Sequence, residues 1–339
     1  MLSFRQDLAE IYLHKLHKLF PEVRPSLNYE TDFQFLTAVM LSAQSTDKQV
    51  NKTTKVFFKQ FSTPESIAKA DLSQIKEHLR SIGLYKTKSI NLKKTAEIIV
   101  NKYNGRVPKD RQSLEALPGV GRKTANVVLS TLFNDNSGIV VDTHIARLTR
   151  LLALTNQTNR LKIEQDLLEL IPEDQRFGFS LRLISYGRKY CKASHFNKQN
   201  SDHFHCPLTV ELRRFLQKKR LALIGFSFNK DKYGNKIAED LIKSGFNNLF
   251  LVNPKGGRYD SRLVYKDIKD VLIHSEIDIF LFVVRPEVSL RIVKYLNQKK
   301  VSGHYWFQPG SLVDELVDYL TNKNLSFTNF CLMRAVGIW

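Results

Sequence analysis

The sequence predicts two domains, an all-α half followed by an α/β half. Three observations carry this expectation. A chain of 339 residues exceeds the usual size of a single hydrophobic core. Apolar residues recur at three- and four-residue spacing to about residue 190, and after Pro207 the texture changes to short apolar runs between helical segments. The composition, 42% hydrophobic and 25% charged, is that of an ordinary globular protein.

Leu8, Ile11 and Tyr12 open the helical half, and Phe33, Leu36, Val39 and Met40 continue it, at the spacing that lines one helix face. Breaks are expected at Pro21 and Pro25, at Gly83, around Asn104-Gly105 with Pro108, at Pro118-Gly119 and Gly121, and at Pro172. A basic helical stretch over 212–220 leads into the second half. The linker is expected within 208–218, which separates domains of 1–210 and 218–339. Leu221–Ile224, Leu249–Val252 and 277–284 read as strands. Helical patterns over 236–243 and 288–296 read as crossovers, which implies a parallel sheet. No internal repeat or low-complexity tract is visible.

The charge balance narrows the partner. Lys plus Arg number 52 against 33 Asp plus Glu, a formal +19. Such a surplus favours a polyanion, nucleic acid before a membrane surface. The sequence has no apolar run of about 18 residues, and 1–20 is a charged amphipathic stretch without a signal-peptide core. No membrane association is therefore expected. Cys191, Cys206 and Cys331 cannot form a disulfide framework and fit a reducing, cytoplasmic setting.

The most informative segment is Leu117-Pro-Gly-Val-Gly-Arg-Lys123-Thr-Ala-Asn-Val-Val-Leu129, in which a Pro-Gly-x-Gly turn joins one helix to the next. Turn glycines and the free N–H groups of a helix start form a cradle for phosphate. A plain helix–turn–helix connection explains Gly119 and Gly121 but leaves Arg122 and Lys123 at the mouth of that cradle unexplained. Nineteen residues on stands Val140-Val-Asp142-Thr-His-Ile145.

These two segments resemble the helix-hairpin-helix and the Val-Asp-Thr-His segment of the endonuclease III family. Leu41-Ser-Ala-Gln-Ser-Thr-Asp47, Ile82-Gly-Leu-Tyr85-Lys-Thr-Lys88 and Asn104-Gly-Arg-Val-Pro108 resemble further family segments in the right order. The resemblance implies an all-α helix-hairpin-helix DNA glycosylase fold and base-excision repair of duplex DNA carrying a damaged base, expected to be an oxidised pyrimidine, or an abasic site. It makes Lys123 the nucleophile that forms a Schiff base and promotes β-elimination. Asp142 then stabilises the cationic transition state and helps move protons, or serves as the N-cap of the helix that follows, or both. Adenine glycosylases of similar fold lack this lysine, so its presence implies combined glycosylase and lyase activity.

The chemistry requires the nucleotide to be extruded from the duplex. The resemblance makes Gln44 the residue that fills the hole and Leu84 a wedge, against the alternatives of a solvated loop glutamine and a core leucine. Lys86 and Lys88 read as phosphate contacts or a solvated basic face, and Gly119, Gly121, Arg122, Thr143 and His144 complete the expected DNA contacts. No cofactor is required for the reaction itself.

The pattern departs from the family after Tyr186-Gly-Arg188. Relatives place four cysteines there around a [4Fe–4S] cluster, whereas this chain offers Cys191 and Cys206, with His203 and Leu212 at the other two positions. The expectation is cluster loss. The alternative is a zinc site from Cys191, His195 or His205, His203 and Cys206.

In the second half, Leu221-Ala-Leu-Ile-Gly225-Phe-Ser227-Phe-Asn229 runs from a strand into a glycine turn, short of a full GxGxxG. With Leu251-Val-Asn253-Pro254, Phe282-Val-Val284-Arg-Pro286-Glu287 and Trp306-Phe-Gln-Pro-Gly310, it resembles the stand-alone CoA-binding domain of Rossmann-like fold. That implies a CoA, acyl-CoA or other nucleotide site bordered by Gly225, Ser227, Asn229, Asn253, Pro254, Val284 and Pro286. The alternative is a packing module that binds nothing. For the whole chain, the competitors to a repair enzyme are a catalytically silent, metabolite-controlled DNA-binding protein and a CoA-linked metabolic enzyme.

Overall fold

Helix α1 (Phe4–Leu19) opens the chain in the computed structural model, which describes residues 4–193 and 204–339. Then come α2 (Asp32–Ser42), α3 (Asp47–Gln60), α4 (Pro64–Lys69), α5 (Leu72–His78), α6 (Tyr85–Tyr103), α7 (Arg111–Glu115) and α8 (Arg122–Leu132). Short polar side chains start several of them. Thr31, Thr46, Thr63 and Asp110 accept the N–H groups of Gln34, Gln49, Ser66 and Ser113, so that α2, α3, α4 and α7 each begin with one exposed donor satisfied. Asn104 ends α6 in left-handed backbone, φ 49°, at the break expected there.

The helical half continues with α9 (Thr143–Leu151), α10 (Arg160–Leu170), α11 (Arg176–Lys189) and α12 (Pro207–Gln217). The segment 208–218, expected as a linker, is this last helix. Leu208, Leu212 and Leu216 recur every four residues and are fully buried, and Lys15 of α1 reaches Glu211 at 2.7 Å. An amphipathic stripe of this kind packs as a helix instead of tethering domains.

The chain divides into two compact units that do not follow the α to α/β change. One comprises Glu22–Asp142 with Ile171–Leu181, and the other Met1–Pro21, Thr143–Leu170 and Arg182–Trp339. The first unit is built on Phe35, Leu36, Phe57, Ile75, Leu92 and Leu129, all fully buried.

The α/β part of the other unit contains β1 (Leu221–Ile224), α13 (Tyr233–Lys243), β2 (Leu249–Val252), β3 (Gly257–Tyr259), β4 (Arg262–Tyr265), α14 (Ile268–His274), β5 (Ile279–Phe282), α15 (Pro286–Gln298), β6 (His304–Phe307), α16 (Asp314–Asn322), β7 (Phe327–Asn329) and α17 (Leu332–Ala335). The seven strands lie in the order β3-β4-β2-β1-β5-β6-β7. Every pairing is parallel except β3 with β4. Strands β1, β5 and β6 are buried along their whole length, as parallel strands covered on both faces are. The expected run at 277–284 is β5, trimmed by its flanking turns. The β3–β4 hairpin turns through Asp260 and Ser261, both at positive φ (47° and 62°), without the Asn-Gly signal that makes such a turn readable.

The edge strand β7 is closed by the helical part of its own unit. Asn156 donates to the Phe327 carbonyl and accepts from the Asn329 N–H, each at 2.9 Å, and Arg5 donates to the same Phe327 carbonyl at 2.9 Å. Phe4 stacks on His304 with ring centroids 3.8 Å apart. Among the described residues no helix is long and apolar enough to cross a membrane.

His304 supplies a test of this packing. Its ring nitrogens meet the hydroxyls of Ser326 and Thr328 at 2.8 and 2.9 Å. Burial, and secondarily the Arg5 cation, hold its imidazole well below the ordinary value. The unfolded chain therefore binds a proton below about pH 6.5 that the folded chain refuses, and stability falls as pH falls, by about 1.4 kcal/mol per pH unit. Denaturant melts at a series of pH values from about 6.5 downward should find a slope steeper in the native chain than in His304→Gln by up to about that amount.

Candidate active site

The turn between α7 and α8 closes with the Val120 N–H on the Leu117 carbonyl at 3.0 Å. Thr95 of α6 donates to the Pro118 carbonyl at 3.1 Å and anchors the turn. Gly119 is glycine for two reasons of the fold. Its φ is +81°, and a Cβ there would lie 2.9 Å from the Asn91 amide. Gly121 has neither reason: its backbone is extended (φ −98°, ψ 177°) and a Cβ would meet nothing within 4 Å. It stands at the N-cap of α8, and Arg122 and Lys123 are exposed in the first turn. Such a bare helix start leaves room for an anion to approach the backbone.

Asp142 is brought to the same unit by an irregular segment, 134–142, that has no sheet to bond to. Side chains from three helices, α7, α8 and α11, hold it instead. Asn126 lies three residues after Lys123; its amide N–H donates to the Ile139 carbonyl at 3.1 Å, and its amide oxygen accepts from Arg111. Arg111 also donates to the Ser137 hydroxyl at 3.0 Å. From α11, Arg176 donates to the Asn136 carbonyl at 3.1 Å and Ser180 to the Val140 carbonyl at 3.5 Å. A Cβ at Gly138 would strike the Asn126 oxygen at 2.6 Å, so the chain can pass this close only as glycine. Asp142 is half-buried and directly precedes α9, at the position an N-cap would take. Asn126 stands inside the hairpin segment and Arg111 before it, but the sequence does not show their role, because it depends on residues 136–139 packed against them.

Gln44 and Leu84 are also neighbours. Both are exposed and both have left-handed backbone, φ 54° and 58°. Leu84 is 57% exposed, which removes the core-leucine alternative. Lys86 is exposed as a phosphate contact would be. Lys88 is not. Only 9% exposed, it donates to the carbonyls of Leu41, at 2.8 Å, and Ala43, with the Ser45 hydroxyl 3.5 Å away, and burial lowers its pKa.

Thr143 and His144 belong to the other unit. Thr143 is exposed. His144 packs against α11, where a Cβ at Gly187 would lie 2.6 Å from its Nδ1. That nitrogen is buried and has no protein partner.

The cysteines do not fit an iron–sulfur cluster. The whole sequence has three, and a [4Fe–4S] site takes four thiolates. Arg147 donates to the Cys191 sulfur at 3.4 Å and to its carbonyl at 2.6 Å, and the Cys206 thiol donates to the Tyr190 carbonyl at 3.1 Å. Buried Tyr186 accepts the Leu208 N–H at 3.2 Å. Of the zinc alternative, His195 and His203 lie outside the described residues. Among the described residues no group of three or more potential ligands gathers.

In the α/β part, β1 pairs with β2 on one side and β5 on the other, so the connections leave in opposite directions and open a crevice beyond the strand ends. Gly225, Asn253, Val284 and Pro286 follow β1, β2 and β5 there. Gly225 has φ +101°, and a Cβ would meet the Val283 carbonyl at 2.4 Å. Ser227, Asn229 and Asn253 shape their own loops. The Asn229 N–H reaches the Ser227 hydroxyl at 3.2 Å, Asn229 accepts from the Asp231 N–H at 2.8 Å, and Asn253 donates to the Phe226 carbonyl at 2.6 Å. Pro254 is exposed. Three polar atoms at this end of the sheet are buried without a protein partner: Asn235 Oδ1, Ser289 Oγ and Gln308 Nε2. Buried polar atoms without partners are uncommon, and at a strand-end crevice they fit a polar ligand.

Two family models match the chain. One, described as HhH-GPD superfamily base excision DNA repair protein, covers residues 37–173, and the other, described as CoA binding domain, covers residues 219–336. Endonuclease III of Synechocystis sp. is 42% identical over 193 residues, 57% of this chain and 88% of that relative. A solved non-covalent endonuclease III–DNA complex aligns at 40% identity and a TM-score of 0.56, covering 61% of this chain and 94% of that one. A trapped endonuclease III–DNA covalent intermediate aligns at 40% identity with the same TM-score of 0.56, covering 62% and 95%.

Asn126→Ala tests the segment that carries Asp142. It removes the amide's bonds to the Ile139 carbonyl and the Arg111 guanidinium, at a cost of about 1–3 kcal/mol. Denaturant unfolding should register the loss. Asn126→Asp keeps the acceptor for Arg111 but not the donor to Ile139 and should fall between.

Proposed function

The chain belongs to the endonuclease III family, and from that membership we propose that it is a bifunctional DNA glycosylase and abasic-site lyase acting on damaged, chiefly oxidised, pyrimidines in duplex DNA. The observation that carries the reading is the exposed Lys123 at the open start of α8, one turn ahead of the amide that ties down the Asp142 segment. The hairpin backbone at Gly119 and Gly121, with Arg122, holds a DNA phosphate. Gln44 and Leu84 enter the duplex beside the extruded nucleotide, and Lys86 contacts its backbone.

The Lys123 amine, once neutral, attacks C1′ of the deoxyribose. A bond forms between its nitrogen and C1′, the glycosidic bond breaks, and the base leaves with the electron pair and takes up a proton. Ring opening yields the Schiff base. Loss of a C2′ proton then expels the 3′ phosphate. Asp142 faces positive charge building on the sugar and relays protons. The trapped covalent complex of a relative supports this route.

For the C-terminal part we propose a CoA-class ligand in the crevice beyond β1 and β5. The close backbone passage at Gly225 and the unpartnered Asn235, Ser289 and Gln308 atoms support a polar occupant, and the family match supports its class. Bound there, CoA would bring phosphates and an acyl-carrying thiol, while the chain's residues only hold it.

Lys123→Ala should abolish borohydride trapping on DNA carrying a damaged pyrimidine, and trapping that survives would falsify the nucleophile assignment. Asp142→Asn should slow base release by roughly 10²–10⁴-fold. Failure of the native chain to cleave thymine glycol, oxidised cytosine, abasic or mismatched-adenine duplexes would favour a silent DNA-binding protein.

Titration of the full chain with CoA, acyl-CoA and NAD tests the crevice. At about 100 times the dissociation constant a true ligand adds about 2.7 kcal/mol of stability. No change in melting with any of them would leave the C-terminal part as packing alone.

A further inference from the structure

Two strained residues meet in the first unit. Gln44 and Leu84 lie in left-handed backbone, φ 54° and 58°, uncommon for residues with a Cβ and held only where surroundings impose it. Gly83 lets their loops touch. A Cβ on it would sit 2.7 Å from the Gln44 carbonyl, and its N–H donates to the Ser45 hydroxyl at 3.1 Å.

Lys88 joins the same two loops from below. Its backbone N–H donates to the Leu84 carbonyl at 3.0 Å, so it stands one turn into the helix that Leu84 begins. Its ammonium, only 9% exposed, reaches the end of α2 and donates to the Leu41 carbonyl at 2.8 Å and to the Ala43 carbonyl, with the Ser45 hydroxyl at 3.5 Å. A cation suits this position, because the last carbonyls of a helix carry partial negative charge and lack partners within it.

We infer that Lys88 is a positioning residue for nucleotide extrusion, riveting the Gln44 loop to the Leu84 helix so that filler and wedge enter the duplex as one pre-built unit. The inference rests on the proposed roles of Gln44 and Leu84. Extrusion breaks stacking and pairing, and whatever fills the gap must offset that loss. A filler already held in its bound conformation loses no further freedom on insertion. A lysine that only supported the fold would affect every substrate alike. One that positions the intruding residues matters when the helix must be opened.

The experiment compares single-turnover strand cleavage by the full chain at one abasic site, placed either in a fully paired duplex or in an unpaired bulge. Lys88→Met should slow cleavage of the paired DNA by about tenfold or more while leaving the bulged DNA within about twofold. Equal slowing on both DNAs, or no slowing on either, overturns the inference. The Gln44→Ala, Leu84→Ala double variant should show the same duplex-selective loss, and adding Lys88→Met to it should slow cleavage little further. If the double variant has no duplex-selective loss, the failure lies in the roles of Gln44 and Leu84 and not in the rivet. Should Lys88→Met not fold, Ser45→Ala, which removes the acceptor of the Gly83 N–H, should give a smaller loss confined to paired DNA; no such loss overturns the inference.

Discussion

Asn126 faces inward with both ends of its amide in use, the nitrogen on the Ile139 carbonyl and the oxygen beneath Arg111. The chain from 134 to 142 is neither helix nor strand, so its buried carbonyls have no ladder to enter. Without side chains reaching across from α8 and α11, that segment would bury unsatisfied backbone. The same hydrogen bonds decide where the carboxylate of Asp142 stands relative to the helix that carries Lys123. One amide thus meets the packing requirement of the segment and sets the position of the proposed catalytic carboxylate.

Much of this could be read in advance, and the reasons differ between elements. The hairpin was legible because a Pro-Gly-x-Gly turn followed by Arg-Lys has few other uses, and the first-half helix breaks because Gly and Pro act locally. Strands β1 and β2 were legible from short apolar runs with turn residues at both ends. What escaped depends on neighbours distant in sequence. Lys88 looks like Lys86 on paper, two lysines on the first turns of one helix, yet one faces solvent and the other the end of α2. The β3–β4 hairpin turns on Asp260 and Ser261, residues with only a weak preference for the backbone they adopt. Asn235, Ser289 and Gln308 are ordinary polar residues until their burial is known.

The region from 186 to 213 is held by side-chain packing among its described residues. Its described residues are held by buried Tyr186, by Arg147 at Cys191, and by Arg213, whose guanidinium lies 3.6 Å from the Phe204 ring centre and donates to the carbonyls of Phe204 and Val336 at 3.1 Å. The last of these bonds reaches the end of the chain.

The pairing of Arg5 with the Phe327 carbonyl has a consequence for how the protein is made. The two residues are 322 positions apart, and Asn156 meets the same strand across 171. During synthesis, residues 22–181 are complete while β7 is still unmade, so the unit that carries Lys123 can close on the emerging chain. Helix α1 can meet Asp166 of α10 and Glu211 of α12 earlier, but its contacts with His304 and Phe327 must wait until β6 and β7 have been made. The nascent chain can therefore hold one closed unit beside an unfinished second one, whose α1 waits for its sheet contacts after its helical ones are in reach.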